Sequence, residues 1–272
     1  MTDFVYEPLG GDRFMPSELA RGPWSPDHQH GGAPTGLLTR AVEQIETAHP
    51  MRIARITCEF FGALSLDEML VKTSVARPGK RVQWVEATIE IGGRVAMRAM
   101  ALQIRVEPGT SPTVAMLPAP LPAPSTNLPS AVDVARAGPM FAGSAVDIRL
   151  SGDKQDWLAQ GPGKAWFRLQ VPLVAGEEPS PQQRVVSAAD FGNGIGAALD
   201  WGEWLFVNSD LTVNLLREPQ GEWISLDSTM RISGDGTALM ETHLADTDGG
   251  IGTAAQSLFV APSPGASSFG RE

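Results

Sequence analysis

The chain has 272 residues, enough for one large domain or two small ones. Hydrophobic residues make up 42% and charged residues 19%, ordinary globular usage, so a sizeable core can be buried. The net charge is −10 and Lys and Arg are scattered, which gives no basic footprint and argues against a nucleic-acid partner.

In chain order, MTDFVYEPLGG is neither basic nor continuously apolar, so no signal peptide is expected there. No run approaches the ~18 apolar residues of a membrane span, and a cytoplasmic protein is the expectation. FVYEPL reads as a strand. WSPDHQHGGAPTGLL (24–38) then carries two of the four histidines just ahead of a helical pattern. From Ala33, the residues Leu37, Leu38, Ala41, Val42 and Ile45 fall on one helical face, and Pro34 suits its first turn. The pattern ends at AHP. Strand-like runs follow at 52–61, 69–76, 81–91 and 94–106. In the third, Val85, Ala87, Ile89 and Ile91 alternate, and Gly92-Gly93 reads as a tight hairpin turn. Cys58, the single cysteine, reads as a small buried hydrophobe, and no zinc pattern of paired Cys and His occurs.

A proline-dense stretch, MLPAPLPAPSTNLP, cannot lie inside a helix or a central strand. It divides the chain into an N-terminal unit (1–115), a linker (116–135) and a C-terminal unit (136–272). The second unit repeats the grammar of the first. SAVDIRL and GKAWFRLQVPLV open as strands, VVSAADFGNGIGAALDWG (185–202) reads as a helix, and strands follow at 205–216, 222–232, 238–245 and 251–260. Overlaying HGGAPTGLL on DFGNGIGAA aligns Gly32 with Gly192 and Gly36 with Gly196. That overlay puts His30 where Asp190 stands, and the first half reads as a copy of the site without its carboxylate. One helix followed by a four-stranded antiparallel meander, twice, is an α+β architecture. The small residues let each helix sink into a curled sheet, and the two sheets join edge to edge.

HGG before a helix, SAADFGNG, VNSDLTVNLLREP…GEW and GIGTAAQSLF together resemble the acyl-CoA thioesterase II (TesB-type) and thioesterase-like superfamily. The resemblance covers nearly the whole chain and implies a tandem (double) hotdog fold. It also implies a catalytic set in which an aspartate, a hydroxyl residue and a glutamine hold a water. These fall on Asp190, Asn208 and Gln256, with Asn208 standing where the family usually has Thr or Ser. The family's HRP is here Leu216-Arg217-Glu218-Pro219. The implied activity is hydrolysis of a fatty acyl-CoA or related thioester, with CoA as part of the substrate and no metal or redox cofactor. A homodimer is the expected assembly.

Thioester hydrolysis needs a water, a base and oxyanion donors. Asp190 supplies the base, and Asn208 and Gln256 fix the water without titrating. Amides around Phe191 to Asn193, with Gly192 allowing close approach, are the expected oxyanion donors. His30 and Gly31 line one wall of the acyl or pantetheine channel. Arg217, Arg231, Lys80 and Arg81 are candidates for the CoA phosphates, and Trp201 and Trp204 for an acyl tunnel. No G-x-S-x-G elbow occurs, which argues against an α/β-hydrolase. Two other readings stand beside hydrolysis. One is an acyl-CoA-binding protein with little or no turnover, motivated by Asn208 and the altered HRP. The other is an enoyl-CoA hydratase using Asp27 and His30.

Overall fold

Residues 3–112, 124, 138–154 and 156–263 are described by the computed structural model; the proline-dense linker, Pro124 apart, lies outside them. The first half runs β1 (Tyr6–Gly10), β2 (Arg13–Pro16), α1 (Gly32–Glu43), β3 (Met51–Phe60), β4 (Met69–Arg77), β5 (Val82–Ile91) and β6 (Arg94–Arg105). The second runs β7 (Val146–Ser151), β8 (Gly163–Leu169), α2 (Pro181–Ala189), the single turn α3 (Gly192–Ile195), β9 (Trp204–Asn208), β10 (Asp210–Leu215), β11 (Ile224–Ile232), β12 (Thr237–Asp246) and β13 (Gly249–Pro262).

Alternation sets the strands. Gln83, Val85, Ala87 and Ile89 of β5 point into the core, and so do Ala238, Met240, Thr242, Leu244 and Asp246 of β12. Gly92 and Gly93 close the β5–β6 hairpin with φ of +56° and +78°, a backbone that side-chain-bearing residues rarely adopt. All thirteen strands belong to one sheet, in the order β1-β2-β4-β5-β6-β3-β10-β13-β12-β11-β8-β7, with β9 also paired to β13. The expected simple meander is therefore corrected. β4, β5 and β6 are hairpin-linked, but β3 returns beside β6 and so offers its other edge to β10 of the second half. That β3–β10 seam joins the halves into a continuous sheet. Thr57 and Thr212 face each other across it, with their hydroxyl oxygens 3.1 Å apart.

α1 starts where its pattern predicts, one residue before Ala33, but stops at Glu43, short of AHP. Every residue from Gly32 to Thr39 is buried, so the helix is wrapped on all sides, not on one face. Its two buried threonines stay satisfied by donating back to the carbonyls of Gly32 (2.9 Å) and Thr35 (2.8 Å). The second helix differs more from expectation. It begins at Ser180, whose hydroxyl accepts from the Gln183 amide, with Pro181 in the first turn, and it ends at Asp190. The glycine run beyond is a separate turn, not the helix interior.

α1 and α2 lie antiparallel with almost no space between them. A Cβ on Gly36 would stand 2.1 Å from Ser187 Oγ, and one on Gly32 would stand 2.5 Å from the Ser187 carbonyl oxygen. This arrangement overturns the overlay of His30 on Asp190. The start of α1 meets the end of α2, so the two residues are neighbours and not symmetry equivalents. Thr57 pairs with Met100 as Thr212 pairs with Ala255, so the register leaves apolar Ala101 where Gln256 stands in the second half.

At the opposite end, Glu43 of α1 reaches the start of α2. Its carboxylate accepts from the Ser180 hydroxyl at 2.7 Å and from Gln183 Nε2 at 2.8 Å. Burial pushes the Glu43 carboxyl above its ordinary value. The bonds from Gln183 and Ser180 pull it down, and repulsion from Glu218 adds to the rise. The folded state therefore holds this proton more tightly than the unfolded chain. The ionised form costs stability once pH rises above the unfolded value, and the cost persists at neutrality. Glu43→Gln is expected to raise Tm at about pH 7, with the gain vanishing below about pH 3.5, where both states are largely protonated. Thermal melts of both proteins across that range check it. An equal gain at both ends would rule out the ionisation as its cause.

The main core draws on both halves, with Leu37, Leu38, Ile56, Val85, Phe167 and Val185 in one cluster. Cys58 is fully buried within it, and burial pushes its thiol up, so it is the inert hydrophobe expected. A smaller cluster forms around Phe206, Met240 and Leu258. No helix among the described residues is long and apolar enough to cross a membrane.

Candidate active site

Asp190 caps the C-terminal end of α2 and is 6% exposed. Three elements distant in sequence converge on it. Asn208, the last residue of β9, donates from Nδ2 to Asp190 Oδ1 at 3.0 Å and to the Asp210 carbonyl at 3.3 Å. Gln256, on β13 opposite Met240, donates from Nε2 to Asp190 Oδ1 and to its carbonyl oxygen, both at 3.4 Å. From the first half, His30 Nδ1 stands 3.1 Å from Asp190 Oδ2. One carboxylate oxygen thus faces two amide donors and the other faces an imidazole.

Both Gln256 contacts are to acceptors, so its Nε2 end is fixed. Its Oε1 is then a buried acceptor without a partner, beside Gly192, where an added Cβ would stand 3.2 Å away. The Cα of Gly31 packs against the carboxylate. A Cβ there would sit 2.8 Å from Asp190 Oδ2, so only glycine lets α1 start this close.

Gly31 caps α1, a helix of twelve residues whose N-terminal end points at Asp190. The Gly32 amide donates to His30 Nδ1 (3.0 Å), Ala33 to the His30 carbonyl and Thr35 to the Gly31 carbonyl, while Pro34 has no N–H. The Gly31 amide itself makes no hydrogen bond among the described residues. His30 Nδ1 accepts from Gly32 and also contacts Asp190, so a proton on this nitrogen and the Gly32 bond are alternatives.

These groups open on a cavity of about 560 Å³. Its lining includes His30, Gly31, Asp190, Asn193 and Asn208, and much of the rest is apolar, with Trp24, Phe60, Trp157, Phe191, Trp201 and Phe259 among it. Trp24 and Trp201, one from each half, stack with centroids 5.1 Å apart. No Lys or Arg is among the described residues that line the cavity. Among the described residues no group of three or more His, Cys, Asp or Glu is placed to hold a metal.

Asp190, Asn208, Gln256, His30, Gly31, Gly192 and Asn193 are thus gathered in one place, and Arg217 is not. Its guanidinium forms a two-pronged pair with Asp246 (2.6 and 2.5 Å) and donates to the Gly249 carbonyl, away from the cavity. The Arg217 charge is thus paired with a buried carboxylate and stands apart from the other expected site residues. Arg231 likewise pairs with Glu241. The oxyanion donors expected at Phe191 to Asn193 follow the end of α2, where the Phe191 amide is held by the Ala188 carbonyl, and the nearest N-terminus of a long helix is that of α1. Asp27 is exposed and outside the cavity lining, so the carboxylate partner of His30 is Asp190. Trp201 lines the cavity and Trp204 does not. Sequence reasoning missed Trp157 and Leu158, which reach the cavity from a loop without periodicity. Trp157 packs on Phe191 and against the Cα of Gly194.

Two antiparallel helices inside one strongly extended antiparallel sheet, with a carboxylate held by amides between the halves, define the tandem-hotdog thioesterase class. Residues 20–104 match the acyl-CoA thioesterase N-terminal domain, and residues 118–260 match the acyl-CoA thioesterase C-terminal domain. The chain belongs to the acyl-CoA thioesterase family and is a thioester hydrolase. Solved structures agree on the fold. A protein from Thermobifida fusca assigned as a thioesterase II aligns with a TM-score of 0.70 at 18% identity, covering 95% of this chain and 96% of its own. A hot dog fold protein of unknown function from Alicyclobacillus acidocaldarius gives 0.70 at 14%, covering 94% and 96%. The acyl-CoA thioesterase II TesB2 from Mycobacterium marinum gives 0.63 at 14%, covering 96% of each chain. No curated protein sequence is similar to this chain beyond chance.

Proposed function

We propose that the substrate is a fatty acyl-CoA or a related acyl thioester, and that Asp190 activates the water that cleaves it. The observation that carries this reading is the convergence of Asn208, Gln256 and His30 on one buried carboxylate at the edge of a cavity. Asp190 takes a proton from the water as the water oxygen attacks the thioester carbonyl carbon. The resulting oxyanion is held by the Gly31 amide at the positive end of α1. The C–S bond then breaks, and the proton passes from the Asp190 carboxyl to the departing thiolate, directly or through His30 Nδ1. Asn208 and Gln256 orient the carboxylate through their amide N–H groups. No Lys or Arg is among the described residues that line the cavity, which favours the CoA phosphates lying outside on the protein surface.

One specific observation favours a second reading. His30 and Asp190 form an imidazole–carboxylate pair facing a cavity, which also suits the two proton transfers of adding water to an enoyl thioester. A panel of saturated and enoyl-CoA substrates from short to long chain separates these readings. The expected result is release of free thiol from saturated acyl-CoAs. Loss of enoyl absorbance without thiol would replace the hydrolase reading with the hydratase. Binding without either reaction would favour an acyl-CoA-binding protein. A homodimer in the cytoplasm is part of the same proposal, and light scattering should give the mass of two chains.

A further inference from the structure

We propose that Thr242, backed by Ser228, is a positioning residue for thioester cleavage, fixing the Gln256 amide with its NH₂ toward Asp190. The inference rests on the hydrolase reading of Asp190 but on atoms outside the cavity. Gln256 Nε2 reaches Asp190 Oδ1 and the Asp190 carbonyl oxygen only at 3.4 Å, so these two long bonds alone hold the amide weakly. At its other end Oε1 is a buried acceptor without a partner, and leaving such a group unpaired is costly. Gln256 is 1% exposed and is not among the described residues that line the cavity. The partner of Oε1 is therefore to be sought inside the protein.

A pair of hydroxyls stands there. Ser228 of β11 and Thr242 of β12 are both buried and directly opposite each other, with their oxygens 2.9 Å apart. That contact is the one hydrogen bond either hydroxyl makes among the described residues. Each hydroxyl brings one hydrogen and the contact uses one of the two, so the pair keeps a donor to spare. Sheet register brings Gln256 within reach of it. Thr242 faces Ala254 across the β12–β13 ladder, and Gln256 lies two residues along on the same face, the diagonal position that a long side chain can span. Gly192 sets the three oxygens around one point. A Cβ there would stand 2.5 Å from Thr242 Oγ1, 3.2 Å from Gln256 Oε1 and 3.5 Å from Ser228 Oγ. No Cβ stands between them, so the spare donor can be delivered to the orphan acceptor. Thr242 is on the strand next to Gln256 and Ser228 is one strand beyond, so the chain of donors runs from Ser228 to Thr242 to Gln256 Oε1, and from Gln256 Nε2 to Asp190. An amide turned round would set Oε1 against two acceptors of Asp190, and the carboxylate would lose one of its two amide donors.

Thr242→Val keeps the branched shape and removes the hydroxyl. It is expected to lower kcat for thiol release from acyl-CoA at least about fivefold, with KM within about twofold, because Thr242 is not among the residues lining the cavity. Thr242→Ser restores a hydroxyl and should recover most of the loss. Gln256→Leu supplies the decisive background. There Thr242→Val should lower kcat no further, whereas a loss through general loosening of the fold would multiply. Should Thr242→Val fail to fold, Thr242→Val with Ser228→Ala, which leaves neither hydroxyl unpaired, carries the same comparison. A second readout needs no turnover: hydrogen exchange of the Gln256 side-chain NH₂, followed by NMR on the substrate-free protein. Exchange is expected to be about fivefold faster in Thr242→Val and near wild type in Thr242→Ser. Unchanged exchange in Thr242→Val, no recovery in Thr242→Ser, or losses that multiply in the Gln256→Leu background overturn the proposal. Faster exchange in Thr242→Val, with no thiol released by the wild type, would leave Thr242 as the holder of Gln256 and sink the hydrolase reading alone.

Discussion

Asp190→Asn is expected to lower kcat/KM for thioester hydrolysis by about 10²–10⁴-fold, the usual contribution of a positioned general base. The fold should survive, because the site accepts a carboxamide without a clash. Asp190 Oδ1 faces only donors, Asn208 Nδ2 and Gln256 Nε2, so the amide oxygen takes that place. The new NH₂ then faces His30 Nδ1, where it shares the one lone pair with the Gly32 amide. What disappears is the basic oxygen beside the Gly31 amide, and with it the proton acceptor for water. KM should change little, because the lost interaction acts in the transition state. Steady-state thiol release, with a thermal melt as the folding control, makes the measurement. Activity within about threefold of wild type would remove Asp190 as base and pass that role to His30.

Much of this architecture can be read from local pattern. Period-two alternation in β5, the Gly92-Gly93 turn and the start of α1 just before Ala33 each depend on a few adjacent residues, and the structure keeps them. The second helix was harder because its glycines mislead. Ser180-Pro181 is a proper start signal, yet the run from Gly192 to Gly196 pulls the expected helix to 185–202, four residues late at its start and well past its end at Ala189. The site was legible only in halves. Asp190, Asn208 and Gln256 can be placed through family motifs, but His30 joins them through helix packing. Gly32 and Gly36 lack the Cβ that would hold the helices apart, and that close antiparallel contact brings positions 30 and 190 together. Nothing in the spacing of either motif encodes it. Trp157 escaped for a similar reason: its loop has no period, and only the bare Cα of Gly194 marks where the ring fits.

Arg217, a residue of the family motif, is held in a structural pair outside the cavity lining. Asp246 ends β12 at an alternating inward position and is fully buried. It accepts from both Arg217 terminal nitrogens and from the amides of Gln220 (2.7 Å) and Asp248 (2.8 Å). The carboxylate thereby ties the β10–β11 connection to the β12–β13 hairpin. Burial alone would push the Asp246 carboxyl up, but the bonds from Arg217, Gln220 and Asp248 outweigh it and hold the group below its ordinary value. The unfolded chain therefore binds this proton more readily. The stabilisation is complete above the unfolded value of about 3.9 and is lost as pH falls through the lower folded value. Asp246→Asn should cost about 3 kcal/mol at neutral pH, near the low end for breaking a buried pair, because Arg217 is partly exposed and can regain water. For a chain of this size that corresponds to a Tm lower by roughly 6–12 °C. The deficit should narrow in acid, where wild-type Asp246 also loses its charge. The same variant should leave the preference among acyl chains unchanged, because neither Asp246 nor Arg217 lines the cavity. A stable variant with altered substrate preference would return Arg217 to the binding site.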